Sequence, residues 1–63
     1  SMLIHSYEFG ENLVTLAAYG PAEFLLVTVI HEQIDTMHLN SLKDALIEYK
    51  LAVTRVRKTR KGR

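Results

Sequence analysis

The sequence contains no cysteine, only one proline and only three glycines. The lack of cysteine excludes disulfides and thiolate-bound zinc, which often supplement the stability of small domains. A domain of about 60 residues buries only about 60% of the surface that its unfolded chain exposes, so its core is marginal. The chain is nevertheless 48% apolar, which is too hydrophobic for a disordered protein. We therefore expect oligomerisation to supply the additional stability.

The sequence also lacks a long apolar run. Its longest such run, residues 24–30, is interrupted by Thr28. This is far short of the roughly 18 to 20 residues that span a bilayer. The N-terminus has no basic region before an apolar stretch and no small-residue cleavage site, so no secretory signal is visible. We therefore expect a cytoplasmic protein with no membrane partner.

No catalytic or metal-binding pattern is visible. Nucleophilic catalysis needs a nucleophile, a base and an oxyanion stabiliser in a water-excluding pocket, and the chain offers no such set. His31, Glu32, Asp35 and His38 supply possible metal ligands, but their spacing matches no known ligand pattern. Polar residues at the ends of a strand and a helix are the simpler interpretation. We therefore expect a non-enzymatic protein without metal or cofactor.

Two turn-like clusters, residues 9–12 and 19–22, organise the first half of the chain. Glycine supplies positive φ, proline fixes φ, and asparagine tolerates the left-handed region. The clusters separate three short runs, residues 3–8, 13–19 and 24–32. Runs of this length joined by short loops predict a three-stranded antiparallel meander.

An all-α fold is the alternative for the same half. Residues 12–19 precede a Gly-Pro pair that resembles a helix stop, and Pro21 followed by Glu23 resembles a first helical turn. The β-branched residues between positions 27 and 30 favour a strand instead.

The second half predicts one amphipathic helix. Its apolar residues recur at helical spacing and fall within one arc of roughly 120°. The helix begins either at Thr36 with Asp35 as N-cap, or later with Ser41 as N-cap and Asp44 completing a capping pair. The predicted fold class is therefore α+β, a βββα domain over residues 2–58, followed by a flexible basic tail at 59–63. The residues of the apolar arc are Leu42, Ala45, Leu46, Tyr49, Ala52, Val53 and Val56.

The strand pattern predicts a homodimer. A single helix covers only one face of a sheet, yet the second and third runs are apolar on both faces. A second copy of the chain is the simplest cover for the other face, with Leu25, Val27 and Val29 in the interface. Ile47 and Leu51 lie four residues apart on the polar side of the helix. They are either a second contact surface or isolated surface aliphatics.

The charge distribution points to a partner. Residues 1–54 hold two lysines and seven acids, a net charge of −5, whereas residues 55–63 hold six cations and no acid. Such a segment suits the phosphates of DNA or RNA, and binding would weaken steeply with salt. The macrodipole also favours cations at a helix C-terminus, and a charged chain end promotes solubility, so the cluster has a purely structural interpretation as well. The predicted nucleic-acid-binding residues are Arg55, Arg57, Lys58, Arg60, Lys61 and Arg63.

Two functions fit these features. The first is a small homodimeric nucleic-acid-binding accessory or regulatory protein that contacts phosphates through the basic C-terminal segment. The alternative is a non-enzymatic protein-interaction module, such as a small inhibitor or adaptor, that binds an unidentified protein through the acidic body or through Ile47 and Leu51.

Overall fold

The computed structural model describes residues 1–59 and shows an α+β fold. Four antiparallel strands form one open sheet in the order of the sequence, and a C-terminal helix packs on one face. The elements are β1 (Met2–Phe9), β2 (Asn12–Gly20), β3 (Glu23–Ile30), β4 (Gln33–Leu39) and α1 (Leu42–Lys58). The all-α alternative is therefore wrong.

The prediction of three strands is also wrong, because Gln33–Leu39 forms a fourth strand paired with β3. The two-residue turn before it consists of His31 and Glu32, with φ of 54° and 68°. A turn with positive φ at both central positions normally carries Asn-Gly. Because no such residue marks this turn, the sequence did not reveal the hairpin.

The helix starts at the later of the two predicted positions. Ser41 is the N-cap, and its hydroxyl oxygen accepts a hydrogen bond from the Asp44 amide at 3.1 Å. This bond satisfies one of the free amides of the first turn. The earlier start at Thr36 is wrong, since Thr36 and His38 lie in β4.

The core lies between α1 and the two central strands. Small side chains at Ala45 and Ala52, seven residues apart, let the helix approach the sheet closely, and both are buried. The buried core consists of Val14, Leu16, Phe24, Leu26, Ala45, Ala52 and Val56.

Asn12 fixes the C-terminal end of the helix to the sheet. Its side chain is buried, donates to Thr59 Oγ1 at 3.1 Å and accepts from the His31 amide at 3.0 Å. Thr59 also donates to the Val56 carbonyl at 2.6 Å. One amide thus joins the start of β2, the β3–β4 turn and the end of α1. Thr59, the first residue of the predicted tail, is held in place, while residues 60–63 of that tail lie outside the described residues.

Candidate nucleic-acid and self-association surfaces

The helix-free face of the sheet carries the first candidate surface. Strand pairing aligns Leu3, Ala17, Leu25 and His38 in one row across the sheet. A second row aligns Ser6, Thr15, Val27 and Thr36, and a third aligns Glu8, Leu13, Val29 and Ile34. Paired residues point to the same side of a sheet. We call this set the free face.

The free face is apolar at its centre, has polar side chains at the ends of its rows, and is partly open to solvent. Leu25, Val27 and Val29, the predicted interface residues on β3, are half-buried there. Leu3 and Ile34 at its margins are 61% and 67% exposed. Since α1 covers the opposite face, nothing in residues 1–59 packs over these side chains. The face has the composition of a surface that binds another apolar surface.

The other two predicted interface residues lie elsewhere. Ile47 and Leu51 are on α1, on the other side of the sheet from the free face, and are 47% and 56% exposed. Leu51 borders a groove of about 200 Å³ between α1 and β4, together with Leu26 and Met37. The five predicted residues therefore belong to two separate surfaces.

The helix end carries the predicted nucleic-acid-binding cations, and the structure separates them. Arg55 lies beside β4, where its Nη2 is 3.8 Å from Asp35 Oδ2. Both side chains are more than half exposed, so this ion pair adds little to stability. Arg57 lies on the opposite flank of the helix, where it borders a cavity with Tyr49 and Lys50. Residues two apart on a helix differ by about 200° in direction, which explains the separation.

Lys58 projects between these flanks and is exposed. No acid within residues 1–59 forms an ion pair with Arg57 or Lys58. The remaining predicted cations, Arg60, Lys61 and Arg63, lie outside the described residues.

Aromatic side chains lie beside the Arg57 flank. The rings of His5 on β1 and Tyr49 on α1 stack with centroids 5.1 Å apart and an interplanar angle of 24°. Burial, and to a smaller extent the nearby Tyr7, raise the pKa of Tyr49 above its ordinary value. Tyr49 is therefore a neutral side chain at physiological pH. No pattern in the sequence indicated this contact between β1 and α1.

A separate cavity of about 500 Å³ lies at the end of the sheet near the start of α1. Glu23 and His38 are its titratable groups apart from Tyr19, and no serine, threonine or lysine is among its lining residues. The apolar part of its lining comes from Ala22, Phe24, Leu25 and Leu39. The cavity is therefore a mainly apolar recess that also contains a carboxylate and an imidazole.

Residues 1–59 contain neither a metal-site cluster nor a membrane-spanning helix. Within this part of the chain, no three His, Asp or Glu side chains come together as a possible metal site. No described helix has the length and apolar character needed to cross a membrane. Comparison with protein-family models, with curated proteins and with solved structures finds no match to this chain.

Proposed function

We propose that this protein is a homodimeric nucleic-acid-binding accessory or regulatory protein. Two chains pack through the free face, and the basic end of each chain contacts phosphates. The observation that supports this proposal is the separation of the two surfaces by the fold. The apolar free face lies on one side of the sheet, while Arg57 and Lys58 lie on the helix that covers the other side. Both surfaces are therefore usable at the same time.

Burial of the free face supplies the driving force for dimerisation. The face is built from aliphatic side chains on all four strands, and burying apolar surface contributes about 25 cal/mol per Å². A twofold axis brings the same patch of both chains together, so no second kind of surface is needed. In such a dimer the two helices lie on the outside and keep their cations in solvent.

Counterion release supplies the driving force for nucleic-acid binding. Arg57 and Lys58 are exposed and have no ion-pair partner among residues 1–59, and three more cations follow in the sequence. Each phosphate that a cation neutralises releases condensed counterions. A dimer presents two such segments, and simultaneous binding of both raises the overall affinity.

The oligomeric state is tested with a matched pair of substitutions, Ile34→Glu and Ile47→Glu. Both isoleucines are exposed, so neither change disturbs the core. Ile34 lies on the free face and Ile47 on the outer side of α1. Sedimentation should show a dimer for the wild-type protein and for Ile47→Glu, and weaker association for Ile34→Glu. A monomeric wild-type protein would disprove dimerisation. Equal effects of the two substitutions would disprove the choice of face.

Nucleic-acid binding is tested on the full chain by replacing Arg57, Lys58, Arg60, Lys61 and Arg63 with glutamine. Cutting the chain after Thr54 is unsuitable, because it would remove the buried Val56 and the Asn12–Thr59 hydrogen bond. Fluorescence anisotropy of a labelled oligonucleotide is measured between about 50 and about 200 mM salt. The log–log salt slope should fall in magnitude by about 0.7 for each single-strand phosphate that the variant no longer neutralises.

Arg55→Gln is the control for this experiment, because Arg55 lies on the flank of the helix opposite Arg57, where the nearby Asp35 carboxylate offsets its attraction to phosphate. Its salt slope should stay close to that of the wild-type protein. If the five-residue variant binds with unchanged affinity and slope, the basic segment is not the phosphate-binding element. If the wild-type protein does not bind at about 50 mM salt, nucleic-acid binding itself is disproved.

One observation favours the alternative, a protein-interaction module. The groove between α1 and β4 is lined by Met37 and Leu51, which are 43% and 56% exposed. Exposed aliphatic and thioether side chains beside an edge strand suit a peptide partner. Leu51→Ser should weaken binding of such a partner and leave oligonucleotide binding unchanged.

A further inference from the structure

We infer that the ligand is single-stranded nucleic acid and that it runs along the flank of α1 that faces β1. This path uses Lys43, Lys50 and Arg57 as phosphate contacts, and the stacked pair His5–Tyr49 as a platform for a base. The inference rests on the proposed function and specifies its ligand and its route.

The charges on α1 are sorted between its two flanks. Lys43, Lys50 and Arg57 recur every seven residues, and this spacing places them along one line of the helix with a drift of only about 20° per step. Lys50 and Arg57 border the same cavity as Tyr49, and Tyr49 contacts β1 through His5. These contacts identify the line as the β1 flank. All three cations are exposed.

The opposite flank of α1 is acidic. Glu48 borders the groove beside β4, and Asp44 lies one helical turn before it. Arg55, the one cation on this flank of Leu42–Lys58, lies next to Asp35 of β4. The β4 flank thus has three carboxylates and one guanidinium, whereas the β1 flank has three cations and no acid from Leu42–Lys58. A phosphate chain is therefore attracted to the β1 flank and repelled from the β4 flank.

Strand β1 adds no negative charge to this path. Its side chains on the helix-covered face include His5, Tyr7 and Phe9, which pair with core positions of β2. Its acid, Glu8, pairs with Leu13 and points to the free face. The path is therefore bordered by aromatic side chains and by cations, which is the combination that binds single strands without sequence preference.

The His5–Tyr49 pair distinguishes single strands from duplexes. His5 is exposed and stacks on a half-buried Tyr49, so the position of its ring is fixed while its outer face remains open. An unpaired base adds to such a stack, whereas the bases of a duplex are already stacked on one another. Lys43 and Arg57 are about 21 Å apart along the helix axis, with the aromatic pair between them.

The first test compares Lys50→Gln with Arg55→Gln. Both remove one exposed cation from the same helix, but Lys50 lies on the β1 flank with no ion-pair partner among residues 1–59, whereas Arg55 lies on the β4 flank beside Asp35. With a labelled oligothymidylate, Lys50→Gln should lower the magnitude of the salt slope by about 0.7, whereas Arg55→Gln should leave it unchanged. Lys43→Gln should repeat the result of Lys50→Gln. Equal slopes for Lys50→Gln and Arg55→Gln would overturn the inferred path.

The second test concerns the aromatic platform and compares His5→Leu with His5→Phe. Leucine covers Tyr49 without a π face, whereas phenylalanine keeps a ring. His5→Leu should weaken single-strand binding by roughly 5- to 150-fold with an unchanged salt slope, and His5→Phe should retain affinity. Neither change should affect a duplex of the same sequence. Tight duplex binding equal to that of the single strand would overturn the assignment of the ligand.

Failure of this inference is distinguishable from failure of the proposed function. If the five-residue variant loses binding while Lys43→Gln, Lys50→Gln and His5→Leu behave like the wild-type protein, nucleic acid binds through the basic C-terminal segment alone. The proposed function then stands and the path along α1 is wrong. If the wild-type protein binds neither oligothymidylate nor duplex, both are wrong.

Discussion

Two substitutions in the β3–β4 turn, His31→Asn and Glu32→Gly, should raise the free energy of unfolding. Both residues have positive φ, 54° and 68°. The left-handed conformation costs an ordinary residue about 1 to 2 kcal/mol, whereas asparagine tolerates it and glycine adopts it freely. Glycine also gains freedom in the unfolded chain, which offsets about 0.5 to 1 kcal/mol of this benefit. The net gain for the double variant is about 1 to 2 kcal/mol.

Thermal unfolding measures this gain. All variants are compared at one protein concentration, because any association between chains makes the Tm depend on concentration. Each kcal/mol raises the Tm of a domain of this size by about 4 to 8 °C. The backbone amide of residue 31 still donates to Asn12 in the variant, so the turn stays attached to the start of β2. The expected result is a rise in Tm with an unchanged fold.

Glu11→Gly is the control for this prediction. Glu11 lies in the β1–β2 turn and does not have positive φ, unlike Gly10 before it, whose φ is 64°. Glycine at position 11 therefore removes no unfavourable backbone conformation, and it should lower the free energy of unfolding by about 0.5 to 1 kcal/mol. A double variant at residues 31 and 32 that is no more stable than the wild-type protein would refute the reasoning from backbone strain.

Three further predictions concern stability. Asn12→Ala should lower the free energy of unfolding by about 2 kcal/mol in denaturant titration, because the His31 amide and the Thr59 hydroxyl each lose a partner; an unchanged stability would contradict the role of Asn12. Ser41→Ala should cost about 1 kcal/mol, measured in the same way, by removing the helix cap. Burial raises the pKa of Tyr49, so the neutral Tyr49 side chain contributes stability below the ordinary tyrosine pKa, and this contribution is lost as the pH rises through the raised pKa. When the pH is raised above about 10, the free energy of unfolding of Tyr49→Phe should therefore fall less than that of the wild-type protein.

Sequence patterns were sufficient for much of the fold. The two glycine-containing turns located β1, β2 and β3 to within a few residues, and the helix period located α1, with Ser41 as one of its two predicted N-caps. Strand β4 was missed because its turn consists of His31 and Glu32, which carry no turn signal. Apolar and polar residues are also mixed on both of its faces, with Ile34, Thr36 and His38 on one and Asp35, Met37 and Leu39 on the other, so no alternation marked it as a strand.

The candidate sites were less predictable, because they depend on how the chain folds back on itself. Proximity in sequence grouped Arg55 with Arg57, but the helix places them on opposite flanks, with Arg55 beside Asp35. The seven-residue spacing of Lys43, Lys50 and Arg57 was present in the sequence. The flank of the helix on which these three cations lie is known only from the stacking of Tyr49 on His5, which is 44 positions earlier in the chain.

The most direct test of the whole account is the mass of the complex formed with a labelled oligothymidylate. Sedimentation of the wild-type protein with this oligonucleotide at low salt measures the number of chains in the complex. We expect a complex that contains two 7.2 kDa chains and that dissociates as salt increases. A complex with a single chain would contradict the dimer. If the oligonucleotide sediments as the free species in the presence of the protein, nucleic-acid binding is contradicted.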